Sequence, residues 1–227
     1  MSGILYIVST PIGNLDDISI RALNILKEVD LIAAEDTRIT NRLLNKFRIK
    51  NRCFSYNNYN ENTKYTYLIS LLNDNKNIAL VSDAGSPCIS DPGYKVVNAA
   101  RLEKIDVVSI PGASSPISAL SISGLPSARF YFEGFLPKKK GRNKRFKFIM
   151  DLDCSIIIFE SPNRIKKTLN EILDKLGNRV VSISKELTKI HEKVFFGYLE
   201  NVLSDFPDKI KGEFVIIVAS KKYKIDE

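Results

Sequence analysis

Short apolar runs at residues 4–8, 31–34, 78–81 and 105–110 recur through the first half of the chain, and each ends abruptly in polar or glycine-containing residues. Runs of this length are too short for helices and have the pattern of strands buried on both faces. Between them the apolar positions change to helical spacing: Ile18, Ala22, Leu23 and Leu26, then Leu43, Leu44 and Phe47, then residues 65–72. Residues 53–56 read as one further short strand. Strands alternating with helices over residues 1–120 predict a parallel α/β sheet with right-handed crossovers.

The polar segments that close these strands are the informative ones. Residues 82–93 read Ser-Asp-Ala-Gly-Ser-Pro-Cys-Ile-Ser-Asp-Pro-Gly. In open parallel sheets ligands bind beyond the carboxyl ends of the strands, which is where Asp83, Gly85 and Ser86 fall. Gly85 lets the backbone approach a ligand closely, and Pro87 and Pro92 stiffen the loop. The competing reading is an ordinary strand-to-helix connection capped by Ser90 or Asp91, against which stands its length. The first strand delivers Ser9-Thr-Pro-Ile-Gly-Asn to the same expected rim, the second Glu35-Asp-Thr-Arg, and the one at 105–110 Pro111-Gly-Ala-Ser-Ser-Pro.

Beyond Gly124 the pattern changes. Strand-like segments at 129–135, 155–159, 180–184, 193–198 and 213–219 are interrupted by a basic helix, a helix at 163–176 and a helix-like stretch at 199–206. Strands in such close succession predict a mixed sheet. The expected organisation is therefore two α/β domains: residues 1–120 with a parallel sheet and residues 121–227 with a mixed one.

Composition narrows the class. With 44% hydrophobic and 26% charged residues the chain has the balance of a globular protein. No apolar run approaches the roughly 20 residues that span a bilayer. The N-terminus lacks the basic region and cleavage site of a secretory signal, so a cytoplasmic location without membrane attachment is expected. Three scattered cysteines and one histidine, His191, to which no role is assigned, suggest neither a disulfide framework nor a metal site.

A net charge of +8 favours a polyanionic partner, nucleic acid first, although the abundance of Asn, Ile and Lys also fits a compositional bias. The charge is densest from Lys138 to Lys147, where Lys138, Lys139, Lys140, Arg142, Lys144, Arg145 and Lys147 put seven basic residues in ten positions. Such density can neutralise several phosphates of RNA, although a charge run can also be only a solvated face. Phe146 and Phe148 read as core anchors.

Taken together, Leu5-Tyr-Ile-Val-Ser-Thr-Pro-Ile-Gly-Asn-Leu-Asp-Asp, Ala34-Glu-Asp-Thr-Arg, Val81-Ser-Asp-Ala-Gly-Ser-Pro and Ile110-Pro-Gly-Ala-Ser-Ser resemble the bacterial small-subunit ribosomal RNA cytidine 2′-O-methyltransferases. Phe130-Tyr-Phe-Glu-Gly-Phe-Leu-Pro, Phe159-Glu-Ser-Pro-Asn-Arg-Ile, Lys185-Glu-Leu-Thr-Lys and Lys211-Gly-Glu-Phe-Val look like later blocks of that family in the same order. The wider group is tetrapyrrole-methylase-like. The resemblance implies two α/β domains with S-adenosylmethionine in a cleft between them, and small-subunit ribosomal RNA or the ribosomal subunit as partner; a homodimer is expected. It implies cofactor contacts from Pro11, Asp83, Ala84, Gly85, Ser86, Ala113, Ser114 and Ser115, and across the cleft from Glu160, Ser161 and Leu187, several through backbone atoms. Longer members carry a C-terminal extension, without which substrate affinity is expected to rest on the two domains and the basic segment.

Methyl transfer to a ribose hydroxyl needs near-attack positioning and an acceptor for the hydroxyl proton, and it requires no metal. Asp36 and Glu35 are the expected acceptors, and Arg38 is a candidate for a bidentate phosphate contact. All three could instead cap and pair at a helix start. Glu186 is a weaker base candidate for which a structural turn is preferred. The rival readings are a tetrapyrrole methyltransferase, against which the single glycine of the loop at residues 9–14 counts, and a catalytically silent RNA-binding protein.

Overall fold

The computed structural model describes residues 2–207 and 210–225. It divides into two compact units, Met1–Ser114 and Ser115–Glu227.

The first unit runs β1 (Leu5–Val8), α1 (Ile20–Glu28), β2 (Leu31–Ala34), α2 (Thr37–Lys46), β3 (Cys53–Ser55), α3 (Glu61–Asn73), β4 (Ile78–Val81), α4 (Tyr94–Leu102) and β5 (Val107–Ile110). Its five strands are all parallel, in the order β3-β2-β4-β1-β5. The apolar runs are explained by burial on both faces. In β4, Ile78 and Leu80 pack with Leu68 and Leu72 of α3 and with Val96 and Ala100 of α4. Ala79 and Val81 pack on the opposite face with Ala22 and Leu26 of α1 and Leu44 of α2. Ser19 caps α1 by accepting the N–H of Ala22, which supplies one partner the first helical turn lacks.

The second unit contains α5 (Ser115–Ser121), β6 (Phe130–Phe135), α6 (Arg142–Met150), β7 (Ser155–Glu160), α7 (Ile165–Leu176), β8 (Val180–Lys185), β9 (Lys193–Tyr198), α8 (Leu199–Ser204) and β10 (Phe214–Val218). Its sheet has the order β6-β7-β10-β8-β9 and is mixed. Only β6 and β7 are parallel, and a bulge between Phe132 and Gly134 interrupts their register. One face carries the core, where Ile156, Ile158, Ile183 and Ile216 meet Phe146 of α6 and Leu169 and Ile172 of α7.

The α/β class and the contrast between a parallel and a mixed sheet agree with the sequence pattern. Helices α4 and α5 are additions to the elements read from it. Among the described residues no helix is long and apolar enough to cross a membrane.

Candidate active site

In the first unit, loops from neighbouring strands are joined to one another at the carboxyl rim. Thr10 and Gly85 exchange backbone hydrogen bonds in both directions, at 2.9 and 3.0 Å. The Thr10 hydroxyl donates to the Ser82 carbonyl at 3.1 Å, and the hydroxyls of Ser9 and Ser86 lie 2.8 Å apart. Pro11 is buried directly after this bridge. Gly85 has φ +82°, a left-handed conformation, so the turn itself demands glycine in addition to any need for close ligand approach. A Cβ there would lie 3.4 Å from Ile12 Cγ2 and 3.8 Å from the Ala113 carbonyl, which brings Ala113 into the same neighbourhood. Gly112 is demanded by proximity, since a Cβ would sit 2.9 Å from Ser9 Cβ.

A second junction links the ends of β2 and β4. The Asp36 N–H donates to Asp83 Oδ1 at 2.9 Å, and the Asp83 N–H donates to Glu35 Oε2 at 3.2 Å. Desolvation pushes the Glu35 carboxyl up, with Asp83 and Asp36 adding repulsion, and burial likewise raises Asp83. Asp91, farther along the loop, is pushed up to about 7 by burial and by the charges of Glu35 and Asp83. Neither spacing nor composition singles it out as an ionisable group of the site.

Asp36 behaves differently. Its side chain accepts the N–H of Arg38 at 2.8 Å as the N-cap of α2, and its carboxylate takes a two-pronged contact from the Arg38 guanidinium. Those hydrogen bonds from Arg38 hold its carboxyl down at about 2. The Arg38 side chain is 85% exposed. Capping and pairing, the alternative open from sequence, are thus what this geometry contains for Asp36.

The remaining expected contacts lie in the second unit, apart from Ala84 and Ser114 in the first. Ser115 begins α5, Glu160 ends β7 with Ser161 next to it, and Leu187 is buried just beyond β8. Glu160 is 2% exposed and its carboxylate is fully engaged: with the Thr168 hydroxyl at 2.6 Å, the Ser161 N–H at 2.8 Å and Arg164 Nε at 3.2 Å. Glu186, φ +52°, accepts from the Glu213 N–H and from Lys189 Nζ. Burial raises its carboxyl, but those partners outweigh it and leave the group lowered, as befits a structural turn.

The basic segment splits in two. Lys138, Lys139, Lys140, Lys144 and Lys147 are exposed. Arg142 is 6% exposed, paired with Glu171 at 2.5 Å and bonded to the Thr168 hydroxyl and the Pro137 carbonyl. Arg145 is bound to Glu133 and to the Tyr131 hydroxyl. The expectation that Lys138, Lys139, Lys140, Arg142, Lys144 and Arg145 all hold phosphate therefore needs correcting at Arg142, whose donors are spent inside the unit, while Arg145, a third exposed, is held by Glu133 and Tyr131. The signal was present, because Arg142, Phe146 and Ile149 fall at i, i+4 and i+7 on the buried face of α6. Phe146 is buried, as expected of an anchor, whereas Phe148 is exposed. A cavity of about 500 Å³ lined by Met150, Lys175, Arg179 and Lys222 lies at the far end of the second sheet, near the start of β8, and contains none of the expected site residues.

Known proteins agree with this architecture. A ribosomal RNA small subunit methyltransferase I from Thermotoga maritima is 46% identical over 97% of this chain and all of its own length. Its namesake from Halalkalibacterium halodurans is 48% identical over 99% of this chain and 78% of its own. Among solved structures, a diphthine synthase superposes with a TM-score of 0.75 at 18% identity, covering 98% of this chain and 92% of its own. The uroporphyrin-III-C-methyltransferase of Thermus thermophilus does so with 0.65 at 17%, covering 96% and 94%. The family model described as tetrapyrrole (corrin/porphyrin) methylases matches residues 4–203, and the chain belongs to that family, in the group of the ribosomal RNA small subunit methyltransferases I.

Proposed function

We propose that this protein methylates the ribose 2′-hydroxyl of a cytidine in small-subunit ribosomal RNA. Methyl transfer from S-adenosylmethionine follows from the family; the cytidine and its 2′-oxygen are the finer reading. The cofactor supplies, when bound, an electrophilic methyl on a sulfonium cation. The chain's own residues suit that group. Glu35, Asp83 and Asp91 make the loop junction acidic in a protein of net charge +8, which favours a cationic ligand. Within the first unit, backbone from Pro11, Ala84 to Ser86, Ala113 and Ser114 is assigned to holding it.

The observation that carries the reading is the state of Glu35. It is half-buried and raised in affinity for a proton, and one of its oxygens is oriented by the Asp83 amide. A ribose hydroxyl loses its proton as its oxygen attacks, and a carboxylate so tuned is a better acceptor than Asp36, which Arg38 already holds. Glu35 is assigned as acceptor, Asp36 as the residue that fixes the loop and aims Arg38, and Arg38 as the phosphate contact. Lys138, Lys139, Lys140 and Lys144 supply exposed charge for the RNA backbone. The reading includes a cytoplasmic homodimer acting on ribosomal RNA or the assembled subunit.

Nucleoside mass spectrometry of ribosomal RNA from cells with and without the gene tests this. Loss of one 2′-O-methylcytidine, restored by adding the purified protein and S-adenosylmethionine to the unmethylated subunit, is the expected result. Unchanged ribosomal RNA together with methylation of a tetrapyrrole would overturn it. A silent RNA-binding protein would gain no thermal stability from S-adenosylmethionine.

A further inference from the structure

Two tyrosines stand almost free of the protein at the rim that bears the acidic junction. Tyr59 is 98% exposed and Tyr94 is 70% exposed. Single exposed apolar side chains are ordinary, but the segments that carry these two are tied down by hydrogen bonds. The Tyr59 N–H donates to Asn57 Oδ1 at 3.1 Å, and the Asn57 N–H donates to Asn60 Oδ1 at 2.9 Å. Asn60 Nδ2 and Lys64 Nζ both donate to the Ser55 carbonyl, which pins the loop to the end of β3. Two residues after Tyr59, Glu61 accepts the Gly93 N–H at 3.5 Å and lies 3.8 Å from Lys95 Nζ, so one carboxylate joins the chain on both sides of Tyr94 to the segment carrying Tyr59.

The surroundings define what such a pair can hold. Helices α3 and α4 pack on the same face of the sheet, and their N-termini carry the two tyrosines to one side of the rim. The Tyr56 N–H donates to the Ala34 carbonyl at 2.8 Å, which sets this loop beside Glu35. Clustered carboxylates repel phosphate, so a nucleic acid crossing here must be held by something other than its backbone. Bases can be, because every base has a π face and tyrosine loses little rotamer entropy on stacking. Arg38, paired with Asp36 yet 85% exposed, can meet a phosphate at the margin.

We propose that Tyr59 and Tyr94 form a stacking platform for unpaired bases of the RNA substrate, positioning the strand across the Glu35 junction. The proposal rests on the reading of this protein as an RNA methyltransferase. Sequence-specific recognition of RNA uses splayed, single-stranded bases of this kind.

The test is fluorescence anisotropy with the full-length protein and a cytidine-containing single-stranded oligoribonucleotide, alongside methyl transfer to unmethylated small subunits. Tyr59→Ala and Tyr94→Ala should each weaken oligonucleotide binding about tenfold, and Tyr59→Phe should retain affinity. The salt dependence of binding should keep its slope, because stacking releases no counterions, and calorimetric binding of S-adenosylmethionine should not change. Wild-type affinity in the Tyr59→Ala/Tyr94→Ala double variant, in a protein that methylates RNA, would overturn the platform alone. A wild-type protein that neither binds nor methylates RNA would remove the methyltransferase reading and the platform with it.

Discussion

Asp83 accepts the backbone N–H of Asp36 across 47 positions of sequence, and its own N–H is taken by the carboxylate next door, Glu35. Two adjacent acidic residues are thereby given different work. Asp36 is turned toward α2 and Arg38, and Glu35 toward the loop that follows β4.

Their division predicts opposite behaviour of two conservative variants. Glu35→Gln should slow single-turnover methylation by roughly 10² or more with RNA affinity similar, since the shape stays and the proton acceptor is lost. Asp36→Asn should act mainly through Arg38, weakening RNA binding, with much of the rate recovered at saturating RNA. Rapid-quench measurements on both decide it, and equal wild-type rates in Glu35→Gln would move the proton-accepting role elsewhere.

The charge state of the junction predicts a pH effect on stability. Asp91, at about 7 in the folded protein, lies well above its unfolded value, and Glu35 and Asp83 are shifted in the same direction. Between the unfolded and folded values the native state holds more protons, so their contribution falls as pH rises through about 4 to 7. Below that window it is constant. Asp91→Asn should flatten this part of the profile and raise the melting temperature at pH 8 relative to wild type, as read by calorimetry. An unchanged profile would mean that Asp91 is ionised in the native state throughout.

Gly85 and Gly112 should fail for different reasons when a methyl group is added. Gly85→Ala must be held at φ +82°, which costs about 1–2 kcal/mol, while the neighbouring Ile12 and Ala113 leave it ordinary space. Gly112→Ala meets Ser9 Cβ at 2.9 Å and must push the first loop away, an overpacking cost of about 1–3 kcal/mol. Gly85→Val carries the same backbone strain with a bulkier side chain, so it should lose stability as well as cofactor affinity. Denaturant titration and calorimetry with S-adenosylmethionine separate the two effects.

The basic segment should divide by function as it divides by burial. Replacing Lys138, Lys139, Lys140 and Lys144 with Ala should leave melting unchanged and lower the salt slope of binding to single-stranded RNA by up to about 0.7 for each phosphate no longer neutralised. Arg142→Ala should leave Glu171 unpaired and cost about 3 kcal/mol in stability. Melting curves and salt-dependent binding of the two variants provide the check; a stable Arg142→Ala protein with a reduced slope would return Arg142 to the RNA surface.

Much of this molecule is legible in the chain because burial imposes local patterns. A strand covered on both faces must be apolar throughout, which is why residues 31–34 and 78–81 can be read directly, and a left-handed turn favours glycine, which marks Gly85. Tertiary structure alone decided the strand order β3-β2-β4-β1-β5, since nothing in β4 names β1 and β2 as its neighbours. It also decided that Arg142 is a buried ion-pair partner while Lys138 faces solvent, and that Glu35 is tuned toward accepting a proton while Asp36 is not. Each of those outcomes depends on desolvation and on hydrogen bonds between residues far apart in sequence, and such energies do not exist until the chain has folded.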